Sequence, residues 1–224
     1  ITDVEKRAVV EASNNVGINK VSIIEEPIAA AIGAGIDITE AYGNMIVDIG
    51  GGTTDIAVIA LGGIVANKSI KIAGNTFDDS KVRYIRRKYN IMIGERTAEN
   101  LKHSIGSVYI RDEEERFEEI KGRDLQTGLP ISIEISNKDL YKAIKEPMEE
   151  IIIAIKQILE KTPPELAADI ASKGILMTGG GALLGGVDKL ISHRTGIEVS
   201  IALNPTEATA RGTGRALKWV DVLQ

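Results

Sequence analysis

The sequence predicts an α/β fold: a main sheet flanked by helices, with a second, smaller subdomain inserted into it. Three observations predict it. Apolar runs at 44–47 and 56–61 bracket Asp48-Ile49-Gly50-Gly51-Gly52-Thr53-Thr54-Asp55, which reads as a strand, a tight glycine turn and a returning strand. A second apolar run, Ile175-Leu176-Met177-Thr178, ends in Gly179-Gly180-Gly181. Between residues 79 and 145 the pattern changes, and both glycine turns lie outside that stretch. An insertion of this kind leaves a cleft between the two parts.

The elements follow in order. Thr2 or Asp3 caps a helix over 4–16, ended near Gly17. Residues 21–24 read as a short strand leading to Glu25, Glu26 and Pro27. Pro27 suits the first turn of a helix over 28–33, built of small residues that allow close packing. After the glycine hairpin comes a third strand near 65–72, and Gly74-Asn75-Thr76 turns the chain into a basic amphipathic helix ending near Tyr89. Residues 94–105 form another helix, and 108–136 read as short strands with charged turns. There Asp112, Glu113, Glu114 and Glu115, with Glu118 and Glu119, read as a solvated loop and strand edge rather than a metal site. Residues 138–161 form a long helix in which Pro147 marks a kink or a break, and Pro163-Pro164 opens a short one. After the strand at 175–178 come a helix over 182–193 and a strand at 198–203. Asn204-Pro205-Thr206 then caps a last helix reaching about Val222.

Composition removes several function classes. The 224 residues are enough for one large domain or two modest ones. A hydrophobic fraction of 43% supports a substantial core. A net charge of −5 argues against a general nucleic-acid binder. With no cysteine there is no disulfide, thiolate zinc site or cysteine nucleophile, and His103 and His193 are too few for a histidine-rich metal site. No apolar run approaches a membrane span, and no signal peptide is visible.

The chemistry concentrates at the two glycine turns. Gly50, Gly51 and Gly52 can bring backbone N–H groups against a polyphosphate with no Cβ in the way. Asp48 can hold a hydrated Mg²⁺, and the hydroxyls of Thr53 and Thr54 can bond a phosphate oxygen or a water. A purely structural glycine hairpin is the competing reading. The second turn opens into a helix, a site for phosphate or for the face of a base. Neither turn is a Walker A loop, and neither matches G-x-G-x-x-G in a βαβ setting. Glu25 and Glu26 stand at a helix start, where the bland role is stabilising the helix dipole, and alternation sends their side chains opposite ways. Glu99 and Lys102 share a helix face at the spacing of an ordinary surface ion pair.

Two glycine turns far apart in sequence, each at a strand end, suit a nucleotide held between two halves of a fold. Here the chain resembles the actin, sugar-kinase and heat-shock-chaperone ATPase superfamily. Residues 48–55 are similar to its second phosphate loop, 178–184 to its adenosine loop, and 25–33 to its first connecting helix. Ile93-Gly94-Glu95-Arg96-Thr97-Ala98-Glu99, Gly122-Arg123-Asp124, Thr127-Gly128-Leu129-Pro130 and Thr162-Pro163-Pro164-Glu165-Leu166 resemble the MreB/Mbl family of bacterial actins. The resemblance runs over essentially the whole chain.

That resemblance implies an actin-like (ribonuclease H-like) ATPase fold. Residues 1–42 would end subdomain IA, 43–78 and 146–203 would form IIA, 79–145 IIB, and 204–224 a helix returning to IA. It implies a cytoskeletal protein that binds and hydrolyses ATP to ADP with Mg²⁺ and polymerises into filaments controlling cell shape. A small-molecule kinase or a chaperone-type ATPase of the same superfamily is the alternative. Asp48 would hold the metal through water, and Gly50, Gly51, Gly52 and Thr53 the phosphates. Thr54, favoured over Thr53, and Glu26, with Glu25 as rival, would hold the attacking water. Asp55 stands where many relatives have Glu, or is a hairpin-end carboxylate. Glu99 and Lys102 would take the ribose and adenosine, with Gly74, Gly179, Gly180, Gly181 and Ala182 close to the nucleotide. His103 would sit on the surface or the cleft rim. Implied partners are further copies of the chain, a RodZ-like membrane shape protein and the cell-wall elongation machinery, in the cytoplasm and on the membrane as filaments. The family's first phosphate loop, of Asp-x-Gly-Thr type, and its membrane anchors have no counterpart here. The expectation is a C-terminal portion of a longer protein, inactive as an ATPase alone.

Overall fold

The computed structural model describes residues 3–110 and 114–218. Thr2, Asp112, Glu113 and Val222, invoked above, lie outside the described residues. In chain order the elements are α1 (Asp3–Asn15), α2 (Glu26–Ala34), β1 (Asn44–Ile49), β2 (Thr54–Ala60), β3 (Gly63–Ile70), α3 (Gly74–Tyr89), β4 (Ile91–Met92) and α4 (Glu95–Ser104). Then come β5 (Phe117–Asp124), β6 (Pro130–Ser136), α5 (Asn137–Lys161), α6 (Pro164–Lys173), β7 (Ile175–Thr178), α7 (Val187–Thr195), β8 (Val199–Ile201) and α8 (Ala208–Ala216).

The main sheet has the order β3-β2-β1-β7-β8. Its first three strands form an antiparallel meander, while β7 and β8 join parallel to β1. β1 and β2 are buried on both faces, which is why their sequences are nearly continuous apolar runs. Met45, Val47, Ile49, Ile56 and Val58 pack with Ile144, Met148, Ile151 and Ile155 of α5. Ile46, Ala57 and Ile59 pack instead with Ala30, Ala31 and Ile32 of α2 and Ala216 of α8. On that second face α2 and α8 cross backbone to backbone. A Cβ on Gly33 would stand 1.7 Å from the Ala208 carbonyl oxygen, and one on Gly212 1.6 Å from that of Ala29.

A separate antiparallel sheet, β4-β5-β6, has its own core with Ile85, Leu101, Ile120, Ile135 and Leu140. α3 and α5 serve both cores. Phe77 of α3 and Ile144 of α5 belong to the main one, Ile85 and Leu140 to the small one. The two bodies therefore share helices rather than a linker.

Four elements differ from expectation. Residues 21–24 form no strand: the five-stranded sheet does not include them, and Ile23 is left exposed. Of the kink or break expected at Pro147, the break does not occur: α5 runs 25 residues with Pro147 buried inside it. The one backbone bond that a proline lacks is outweighed by an apolar face anchored in two cores. The helix expected over 182–193 starts at Val187, because Gly180–Leu183 forms a 3₁₀ turn and Gly186 takes φ +72°. β4 was not foreseen, since two residues show no periodicity.

Candidate functional site

The two glycine turns meet because β1 and β7 are parallel neighbours, with Asp48 level with Thr178. Both turns therefore leave the carboxyl edge of the sheet side by side, where open α/β sheets bind ligands. The first turn is pinned to the start of α3: Gly74 N–H donates to Gly50 O at 3.1 Å, and Asn75 N–H to Gly51 O at 2.8 Å. Gly50 N–H closes the hairpin itself, onto Thr53 O at 2.9 Å, so it is not offered outward as expected. Gly51 and Gly52 are exposed at the tip.

The second turn is held tightly against β1. Gly179 takes φ +80°, and its N–H donates to Pro205 O at 2.9 Å. A Cβ there would lie 2.4 Å from Asp48 Oδ1, and one on Gly181 would lie 2.2 Å from Ile49 Cγ2. Gly180 is different: it is exposed, and a Cβ would meet only Thr206 Cγ2, at 3.9 Å. Ala182 is buried in the main core.

Between the turns lies a cavity of about 200 Å³. It brings together Gly50, Gly51, Gly74, Glu99, Lys102, Gly180 and Gly181 of the residues singled out in the sequence. His103 lines it too, on the cleft side of its two expected places. Asn75 completes the lining together with Leu183 and Leu184, which close the stretch likened above to an adenosine loop. Gly52, Gly179 and Ala182 are not among the lining residues. Lys102 pairs not with Glu99 but with Asp78, Nζ to Oδ2 at 2.8 Å. Asp78 Oδ1 in turn accepts from Lys81 Nζ at 2.6 Å. Burial lowers the Lys81 ammonium to about 8, against the hydrogen bond it donates to Asp78. Asp78 and Lys81 were missed because a three-residue Asp–Lys spacing on a basic helix reads as a surface pair.

Glu26, Thr53 and Asp55 line a second, separate groove of about 600 Å³, together with Glu25, Thr209 and Thr213. Asp48 is tied to this group, its Oδ2 accepting from Thr209 Oγ1 at 3.0 Å. Burial pushes the Glu26 carboxyl up, and the charges of Asp55 and Asp48 add to it. Burial likewise raises Asp48; nearby hydroxyls of Thr209 and Thr178 oppose this, and Asp55 adds to it. The Thr178 hydroxyl is close enough to act on Asp48, yet it is buried without a hydrogen bond of normal geometry. Thr54 does not reach either opening. It is fully buried and its hydroxyl donates to Ile72 O at 2.6 Å, so the side chain on the groove is Thr53. Both Glu25 and Glu26 open on the same groove, whose walls partly desolvate Glu26, so strand-like alternation does not separate them. Among the described residues no three His, Asp or Glu side chains converge to ligate a metal directly.

A meander joined to parallel strands, helices on both faces, a small inserted sheet and two apposed glycine turns define an actin-like fold. The family model described as MreB/Mbl protein matches residues 1–224, and the chain belongs to the MreB/Mbl family. It is 47% identical over 221 residues to the cell shape-determining protein MreB of Escherichia coli (strain K12), covering 99% of this chain and 63% of that protein. It is 48% identical over 225 residues to the cell shape-determining protein Mbl of Bacillus subtilis (strain 168), covering 100% of this chain and 67% of that one. The crystal structure of Spiroplasma citri MreB5 bound to ADP superposes with a TM-score of 0.95 at 41% identity, over 98% of this chain and 67% of that one. A MamK double helical filament superposes with a TM-score of 0.81 at 23% identity, over 97% of this chain and 66% of that one, a likeness of fold. The chain thus spans less than two thirds of the Escherichia coli relative. No helix among the described residues is long and apolar enough to cross a membrane.

Proposed function

We propose that this chain forms one side of the nucleotide site of an actin-like ATPase that polymerises into filaments and guides bacterial cell shape. The observation that carries the reading is the cavity between two glycine turns, closed by the α4 face bearing Glu99 and Lys102. ATP or ADP would sit there: exposed Gly51 and Gly180 leave room for phosphate or base, and Lys102 supplies a cation. Residues 43–78 and 146–203 are read as subdomain IIA, 79–145 as IIB, and 1–42 with 204–224 as the part of IA that α2 and α8 build together.

The residues present also fit a hydrated Mg²⁺. Asp48, Asp55 and Glu26 repel one another, and a hydroxyl without a partner, that of Thr178, sits near Asp48. Asp48 would hold the ion through water, and the ion would neutralise charge on the phosphates. Glu26 and Thr53 would orient the attacking water from their groove; phosphoryl transfer needs positioning and charge more than covalent help. Other copies of the chain are the first partners. A RodZ-like shape protein, the wall-elongation machinery and association with the cytoplasmic face of the membrane complete the proposal.

The test is sedimentation of the full-length protein with ATP, with phosphate release measured alongside. Nucleotide-dependent polymer that turns over as phosphate appears supports the reading. Transfer of the phosphoryl group to a small molecule, without polymer, would move the protein to the kinase branch of the superfamily.

A further inference from the structure

One carboxylate near the cavity serves two ammonium groups. Asp78 accepts from Lys81 on one oxygen, at 2.6 Å, and from Lys102 on the other, at 2.8 Å. Lys102 is half-buried and lines the cavity, within 3.7 Å of the place a Gly74 Cβ would take. Lys81 does not line it: it is 1% exposed, behind Asp78, and also donates to the Ala98 carbonyl oxygen at 2.6 Å. Ala98 belongs to α4, the helix that carries Lys102, so Lys81 links α3 to α4 directly.

The charge count explains why a second ammonium matters. Asp78 with Lys102 alone is a neutral pair, and its field at the cavity is small. Glu99 lines the same cavity, so Asp78, Glu99 and the two lysines together are neutral, and without the Lys81 charge the group is net negative. A nucleotide is anionic, so the second lysine changes what the first presents to it.

We propose that Asp78 and Lys81 are positioning residues for the nucleotide cavity, Lys81 acting through Asp78 to keep Lys102 anchored and the cluster from turning net negative. The proposal rests on the nucleotide site assigned above. The charged groups facing Lys81 are Asp78 from α3 and Glu99 and Lys102 from α4. Burial is the largest influence and lowers its ammonium to about 8; Asp78 and Glu99 oppose this, and Lys102 adds to it. Lys81 therefore sheds its proton where most lysines do not, and the charge it lends is lost in mildly alkaline solution.

The experiment is ADP affinity of the full-length protein, by competition with a fluorescent nucleotide, from about pH 7.5 to about pH 9. Wild-type affinity should fall about fivefold over that range, the scale of one partly screened charge. Lys81→Met should show the weakened affinity already at the lower pH and no further fall. Lys81→Arg, which keeps its charge, should stay near the wild-type value at the lower pH across the range. A flat wild-type profile overturns the proposal and requires no variant to fold. So does a folded Lys81→Met with the wild-type profile. Lys102→Met separates the two levels: if it weakens ADP binding while Lys81→Met changes nothing, the site stands and the positioning role falls. If the wild-type protein binds no nucleotide, the site falls and takes the proposal with it.

Discussion

Gly180 and Gly181 are adjacent in sequence, yet the structure constrains them differently. A Cβ on Gly181 collides with Ile49 at 2.2 Å, whereas on Gly180 it enters open space at the cavity. Gly181→Ala is therefore expected to destabilise the fold by about 2 kcal/mol, the cost of overpacking a fitted site, in thermal or denaturant unfolding. Gly180→Ala should leave stability within about 0.5 kcal/mol and weaken nucleotide binding instead. Equal stability loss in both would mean that the turn is not divided in this way. Glu26 makes the matching case on the other groove. Its carboxyl is raised by burial and by Asp55 and Asp48, which marks it as part of the acidic group. In the full-length protein Glu26→Ala should retain ATP and slow phosphate release by ~10²-fold or more. Normal release would remove Glu26 from that role, and the same loss in Glu25→Ala alone would transfer it. The sequence singled out these glycines and carboxylates because the chemistry proposed for them restricts the residue type. Which glycine serves the fold, and that Thr53 rather than Thr54 reaches the groove, depended on neighbours from distant elements.

Helices in this chain are joined by contacts that their own periodicity does not reveal. The crossing of α2 and α8 leaves no room for a side chain at Gly33 or Gly212, and Arg215 Nη1 bonds the carbonyl oxygens of Ile32 and Gly33 at the end of α2. Gly212→Ala should force the helices apart and destabilise the protein by about 3 kcal/mol, seen as a lower unfolding midpoint. An unchanged midpoint would show that the crossing yields easily. In the small body Asp139, in the first turn of α5, ties that helix to α3. It accepts from Tyr84 at 3.0 Å, Lys88 at 2.5 Å and Tyr89 at 2.5 Å. Burial raises the Asp139 carboxyl, but those three hydrogen bonds outweigh it and hold the group below the usual carboxylate range. The folded form thus prefers the charged carboxylate. Its stabilisation is present above the unfolded pKa of about 4 and lost as pH falls below it. Hydrogen exchange should therefore show the α3–α5 contact loosening at low pH, and Asp139→Asn should loosen it at neutral pH while removing that dependence. Amphipathic patterning located α3 and α5, but an Asp near a helix start reads as a cap, and its three partners come from α3.

At the scale of the molecule the acidic groove and the cavity are two openings on either side of one hairpin, and the chain spans 63% of its Escherichia coli relative. Phosphoryl transfer needs both the γ-phosphate and the water held, with loose water excluded. Residues 1–224 as a separate polypeptide should bind nucleotide weakly and release negligible phosphate. Supplying the remaining length of its relatives as a second chain should raise phosphate release only in the mixture. Steady Mg²⁺-dependent hydrolysis by the 224 residues alone would show that the site is divided differently. The α/β class, the two glycine turns and the smaller body between them were legible in the amino-acid order, because strand-ending glycines and apolar runs are local signals. Pairing was not. Residues 21–24 look like a strand but lack a place in the sheet, while β4 looks like nothing and finds one. The meeting of Asp48 with Thr178, of Asp78 with Lys102 and of Asp48 with Thr209 arises from strand order and helix packing. Those long-range choices minimise exposed apolar surface over the whole chain at once, and no window of sequence contains both partners.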